Sequence, residues 1–248
     1  MTPAFQELDY RETPMGELVL QRRQMVSLGG QSVFEVKLAG EYLMSSLFHT
    51  AETALAELAL SRLSGDSWSV VVGGLGLGYT AVAALAFPEL ARLVVVEALA
   101  PVVDWHRRGL VPNGARLTAD PRCEFRHADF FDLARTTGFD PKAHGRRFDA
   151  ILLDIDHSPE HLLSDGHADF YTTAGLVRLQ RFLQPGGVFA LWSNDPPDPA
   201  FLERLREVFA RVDGREVSFD NPLQGRRVSN GIYLAQSDPS RPDTRTEN

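Results

Sequence analysis

"FDAILLDIDHSPEH", residues 148–161, decides how this chain is read. From Phe148 to Leu153 the segment is apolar with hardly a polar interruption, the mark of a strand buried on both faces of a sheet. At Asp154 the character changes at once. Asp154, Asp156, His157, Pro159, Glu160 and His161 follow within a few residues and make a loop at the strand's carboxyl end. In open α/β sheets that end is where ligands bind, so two carboxylates and an imidazole there are candidates for chemistry.

Working outward, strand-like and helix-like stretches alternate from Ser69: "SVVVGGL", "YTAVAALAF", "RLVVVEA", "PVVDWHRRG", "CEFRHAD", then "FDAILLDI", "YTTAGLVRLQRFL", "GGVFALWS" and "DPAFLERLREVF". This predicts an α/β fold with a mainly parallel, doubly wound sheet. "REVSFD" and "GIYLAQ" have no helix between them and predict an antiparallel edge, the methyltransferase variant of the Rossmann-like fold rather than the dehydrogenase one. Before the sheet, runs around Ala39-Gly40 predict a small amino-terminal β-hairpin region, and "TAETALAELALSRL" an amphipathic helix capped by Thr50. The expected division is a β-rich region at 1–48, a Rossmann-like domain at 49–236 and a disordered tail at 237–248. "ARTTGFDPKAHGRR" reads as an exposed loop, and Trp192 of "WSNDPPDP" as core.

"VVVGGLGLGYT" joins a buried strand to a helix, with Gly73, Gly74, Gly76 and Gly78 in the turn and Tyr79 opening the helix. Gly74, Gly76 and Gly78 follow G-x-G-x-G, the spacing usual in S-adenosylmethionine enzymes, rather than the strict dinucleotide fingerprint. The next strand ends in Glu97-Ala98, where a carboxylate can accept from both ribose hydroxyls. The third ends in Asp129-Phe130, an acceptor for an adenine amine and an apolar surface for its ring. Singly, each feature also reads as a tight turn or a helix cap; jointly they describe a cofactor crevice.

Bulk composition narrows the function. A formal charge of −8 gives no general pull toward nucleic acid or an anionic membrane. One cysteine, Cys123, excludes an internal disulfide and a cysteine metal cage, and fits a reducing cytoplasm. The acidic start lacks the pattern of an export signal, and "LVVVEALAPVV" is too short to span a bilayer.

These motifs, with "GEYLMSSLFHTAETAL", "VVVEALAPVVDWHRRG", "HADFFDL" and "FLQPGGVFALWS", make the chain resemble the spermidine synthase family of aminopropyltransferases over about residues 15 to 236. The resemblance implies a sulfonium ligand with Glu97 on its ribose and Asp129 near its adenine, and a homodimer. The chain departs from the family at three places. Gly76 stands where the glycine loop carries an aspartate that holds the donor's ammonium. His157 stands where the strand-four loop has its second aspartate, and Asp156 is new. Of the tyrosine-histidine-glutamate stretch only Glu52 matches.

The departures shift the expected donor. A buried aspartate would repel the α-carboxylate of S-adenosylmethionine, and Gly76 removes it. The expectation is therefore S-adenosylmethionine and methyl transfer to a small amine- or hydroxyl-bearing acceptor. Aminopropyl transfer from decarboxylated S-adenosylmethionine is the alternative, and a non-catalytic cofactor-binding protein the second. Displacement at a sulfonium needs an oriented, deprotonated acceptor. Asp154 would orient it or hold the ligand's ammonium, and His157 would take its proton, since an imidazole titrates near neutrality, at roughly pH 6.5. Asp156 is the third candidate, and Glu52, His161, Tyr171 and Asn194 would line the acceptor side. A metal held by Asp154, Asp156, His157 and His161 is a lesser reading, because Pro159 breaks a helix that would align the histidines.

Overall fold

The computed structural model describes residues 4–240. It opens with an antiparallel meander of β1 (Phe5–Thr13), β2 (Gly16–Met25), β3 (Gln31–Leu38) and β4 (Glu41–Ser45). The expected hairpin at Ala39-Gly40 is the β3–β4 turn, with two further strands before it. Ala39 and Gly40 have φ of 50° and 86°. Two left-handed residues in a two-residue turn match the twist of the strands they join.

A short 3₁₀ turn (Val26–Leu28) joins β2 to β3, and after the meander come α1 (Thr50–Leu60), β5 (Trp68–Gly73), α2 (Tyr79–Leu85), β6 (Leu90–Glu97), α3 (Ala100–Arg107), α4 (Gly114–Ala119), β7 (Cys123–His127), α5 (Phe130–Arg135) and β8 (Phe148–Leu153). Then come a 3₁₀ helix (Asp165–Tyr171), α6 (Thr173–Gln180), β9 (Leu183–Ser193), α7 (Pro199–Arg206), β10 (Arg211–Asn221) and β11 (Arg226–Gln236). The large sheet runs β10-β11-β9-β8-β5-β6-β7. β9, β8, β5, β6 and β7 are parallel, while β11 is antiparallel to both β9 and β10. The expected fold class is therefore present.

The apolar runs are continuous because both faces of the sheet are covered. Val70, Val72, Val95 and Leu152 pack in the cluster that includes α1 and α2, and Val71, Val94, Ile151 and Leu153 in the one that includes α5 and α6. Full burial of each such side chain is worth roughly 1.5–3 kcal/mol. Leu18, Leu20 and Val36 of the meander join the first cluster, so the two sheets share a core.

Several local expectations change. His49, not Thr50, precedes the helix, and its side chain makes no cap. The polar stretch before β8 is anchored rather than exposed throughout: Phe139 is fully buried, and Asp140 pairs with Arg92 at 2.5 Å and Arg146 at 3.1 Å. Ser237 of the expected tail is buried, its N–H donating to the Gly187 carbonyl at 2.9 Å, and 241–248 lie outside the described residues. Among the described residues no helix is long and apolar enough to cross a membrane.

Candidate active site

The strands stay parallel, but the winding order reverses at β5: the chain runs outward to β6 and β7 on one side and then crosses to β8 and β9 on the other, which opens a crevice at the strands' carboxyl ends. The glycine loop lies there. A Cβ on Gly74, whose φ is +94°, would fall 2.1 Å from the Asp154 carbonyl oxygen. Glycine thus lets the end of β8 touch the loop, and the Asp154 N–H donates to the Gly73 carbonyl at 2.8 Å. Gly76, at φ +49°, faces the meander, and its Cβ would sit 3.1 Å from the Met44 sulfur. An aspartate there would run into that side chain.

Polar side chains hold the loop from below. Nε2–H of the fully buried His106 donates to the Gly76 carbonyl at 2.9 Å, and Asn113 Nδ2 donates to the Leu77 carbonyl at 2.9 Å. Glu97 accepts from the N–H groups of Leu75 at 3.0 Å and Leu99 at 2.8 Å. Burial raises its pKa, and these amide bonds oppose the rise. The adjoining Ala98 carbonyl meets His127 Nε2 at 3.0 Å. Asp129 is exposed and caps α5, with Oδ1 accepting from Phe131 N at 2.7 Å and Asp132 N at 3.1 Å. Phe130 does not present its ring to the crevice as expected; it is buried against Gly73, Phe131, Phe139 and Phe170.

A cleft of about 990 Å³ opens between the glycine loop, the meander, the loop after β8 and the β10–β11 hairpin. Glu52, Tyr79, Asp154, His157, Trp192 and Asn194 line it, as do Gly76 and Gly78. Phe48 and Phe219, with ring centroids 6.0 Å apart, join its two walls. Glu52 projects from the first turn of α1 and Asp154 from the end of β8. Thr80 Oγ1 stands between their elements, 2.7 Å from Asp154 Oδ2 and 3.3 Å from the Glu52 carbonyl. Burial, with the charge of Asp154 added, pushes Glu52 up to about 8; burial pushes Asp154 up to about 6, against the Thr80 bond. The two acids titrate as a pair.

The neighbouring candidates part company. Asp156 is fully buried and accepts from Leu163 N at 2.8 Å, His167 Nδ1 at 2.8 Å and Tyr171 Oη at 2.8 Å. It anchors the segment after β8 and does not face the cleft, because Leu163, His167 and Tyr171 draw its carboxylate inward. Tyr171 is buried with it, its phenol raised well above the ordinary value by burial and the Asp156 charge. His161 is largely exposed outside the cleft, its Nδ1 3.1 Å from Ser158 Oγ and 3.2 Å from Asp195 Oδ2. The four residues of the metal reading therefore do not converge. His157 is exposed at the cleft wall, and its carbonyl accepts from Asn194 N at 2.6 Å.

Thr80, His106 and Asn113 were not anticipated. His106 had a signal, three and four residues after the buried Val103 and Val102 on one helical face. Trp192, expected in the core, is half-buried at the cleft wall, and its indole N–H is buried without a hydrogen-bond partner among the described residues.

No family model matches the chain. Over 153 residues, 60% of this chain, it is 32% identical to a polyamine aminopropyltransferase of Nitrosomonas europaea. The match spans 43% of that relative's length. The structure is similar to the spermidine synthase of Thermotoga maritima, with a TM-score of 0.69 and 17% identity, covering 94% of this chain and 74% of that one. It is likewise similar to a spermidine synthase in complex with the transition-state analogue AdoDATO, with a TM-score of 0.72 and 18% identity, covering 94% and 75%. The chain is thus a homologue of the aminopropyltransferase and has the spermidine synthase fold. These findings correct the expectation of a methyltransferase acting with S-adenosylmethionine. The physical error lay in considering the acid missing at Gly76 alone: Glu52 sets a second acid beside Asp154 at the same cleft.

Proposed function

We propose that the chain transfers an aminopropyl group from decarboxylated S-adenosylmethionine to a small amine. The observation that carries this reading is the Glu52–Asp154 pair opening onto the cleft beside the glycine loop. The relative's activity and the fold agree with it. In this reading Glu97 takes the ribose hydroxyls, Asp129 the adenine amine, and the acid pair the donor's ammonium. The acceptor nitrogen attacks the carbon bonded to sulfur; the N–C bond forms as the C–S bond breaks, and its electron pair neutralises the sulfonium to a thioether. The acceptor's ammonium must first lose a proton, which His157 accepts at the cleft wall. An open cleft beside the acids counts against a protein that binds the ligand without turnover.

Incubation with an amine and either sulfonium donor tests the proposal. Methylthioadenosine and an aminopropylated amine should form only with the decarboxylated donor. No product with any amine, or transfer of a methyl group from S-adenosylmethionine, would refute it. A homodimer and a cytoplasmic location complete the reading, the first by resemblance and the second because a lone thiol, which burial pushes up to about 12 at Cys123, suits a reducing compartment.

A further inference from the structure

The acid pair occupies one end of the cleft, and the other end has the opposite character. β11 leaves the sheet edge at Gly231, opposite Ser193 at the end of β9. The strand continues back to Arg226, five residues beyond, so the hairpin overhangs the carboxyl edge by roughly 17 Å at about 3.3 Å per residue. Asn221 pairs with Arg226, Phe219 with Val228 and Val217 with Asn230. Paired residues share a face, and alternate residues repeat it. Because Phe219 meets Phe48 across the cleft, Arg226 is on the cleft side of the hairpin. Arg227 also reaches the cleft rim, but it is paired with Asp220 at 3.8 Å.

Arg226 makes a bond to Gln224 Oε1 at 2.8 Å and, among the described residues, no ion pair. The third acid lining the cleft, Glu35, is already held by Arg23 at 2.5 Å and Gln21 at 2.7 Å. His157 lines the same cleft. A diamine reaching from the acid pair to the hairpin would bring its second ammonium to an arginine, and the cleft lining offers no uncompensated carboxylate there to receive it. An anion there would find a planar guanidinium suited to binding a carboxylate.

We propose that the acceptor is an amine bearing a carboxylate at its far end, an ω-amino acid rather than a diamine, and that Arg226 reads the carboxylate. This rests on aminopropyl transfer as the reaction. Calorimetry with the full chain would compare 6-aminohexanoate with 1,6-diaminohexane, which differ in the charge of the distal group. The wild type should bind the amino acid about tenfold more tightly, the scale of one exposed charge contact made or reversed. Arg226→Glu should invert the order and Arg226→Gln should level it. Tighter diamine binding by the wild type, an order unmoved by both variants, or no binding of either probe would overturn the proposal. Failure of the transfer reading would look different: the binding order would hold while no aminopropylated product formed from the decarboxylated donor.

Discussion

Replacing Glu52 by glutamine should stabilise the protein in mild alkali. Glu52 lies beside Asp154 in a half-buried cleft, and its ionisation is displaced from 4.5 to about 8. An acid whose pKa is higher in the folded than in the unfolded chain holds its proton more tightly when folded. Its stabilising effect is full below pH 4.5 and is lost as the pH rises through about 8. At about 1.4 kcal/mol per tenfold change, the full displacement corresponds to roughly 5 kcal/mol. Solvent reaches the cleft and Asp154 shares the effect, so about 2 kcal/mol is the expected size. Glutamine keeps the shape and removes the titration. Urea unfolding of wild type and Glu52→Gln at pH 5 and pH 8.5 would measure it: relative to wild type, the variant should gain about 2 kcal/mol between the two pH values. The same difference at both values would refute the reasoning. The variant should also lose affinity for the decarboxylated donor, so that stability and function move in opposite directions.

The same pair predicts proton release. A cationic donor favours the ionised acids, so binding near pH 6.5 should liberate protons and tighten as the pH rises toward 8; calorimetry in buffers of different ionisation enthalpy reads this, and no buffer dependence would count against the pair as the ammonium site. Tyr171→Phe removes one of the donors to the buried Asp156 and should cost about 1.5–3 kcal/mol in denaturant unfolding, with the donor's affinity little changed. Gly74→Ala drives a Cβ to 2.1 Å from the Asp154 carbonyl in a backbone with φ +94°; it should cost more than about 3 kcal/mol or abolish soluble protein, and a stable, fully active variant would show that the loop can yield.

Much of the architecture was written in local pattern. Continuous apolar runs in β5, β6 and β8, broken by glycines or acids at their ends, give a parallel sheet and its ligand-binding edge without reference to distant residues. Asp154 and His157 were legible as strand-end groups for the same reason. The roles of Asp156 and Phe130 were not, because orientation within a loop or at a helix start is settled by partners elsewhere, His167 and Tyr171 for the first and the aromatic cluster for the second. Glu52 was legible as a residue and illegible as a charge: its neighbour Asp154 is about a hundred positions away in sequence, and only the packing of α1 on α2 and β8 brings the two acids together. That omission reversed the choice of donor.

The position of β11 between β9 and β10 has a consequence for synthesis. While the chain is being made, β9 is complete long before the strand that pairs with its outer edge exists, and domains form as their segments emerge. Leu183–Ser193 would then present an apolar, unpaired rim to other chains on neighbouring ribosomes, the kind of edge that recruits foreign strands. Insertion of Arg226–Gln236 closes that rim and raises the wall of the cleft in one step. A nascent chain halted before residue 226 would be both sticky and short of that wall of the cleft, so the rim and the cleft close together.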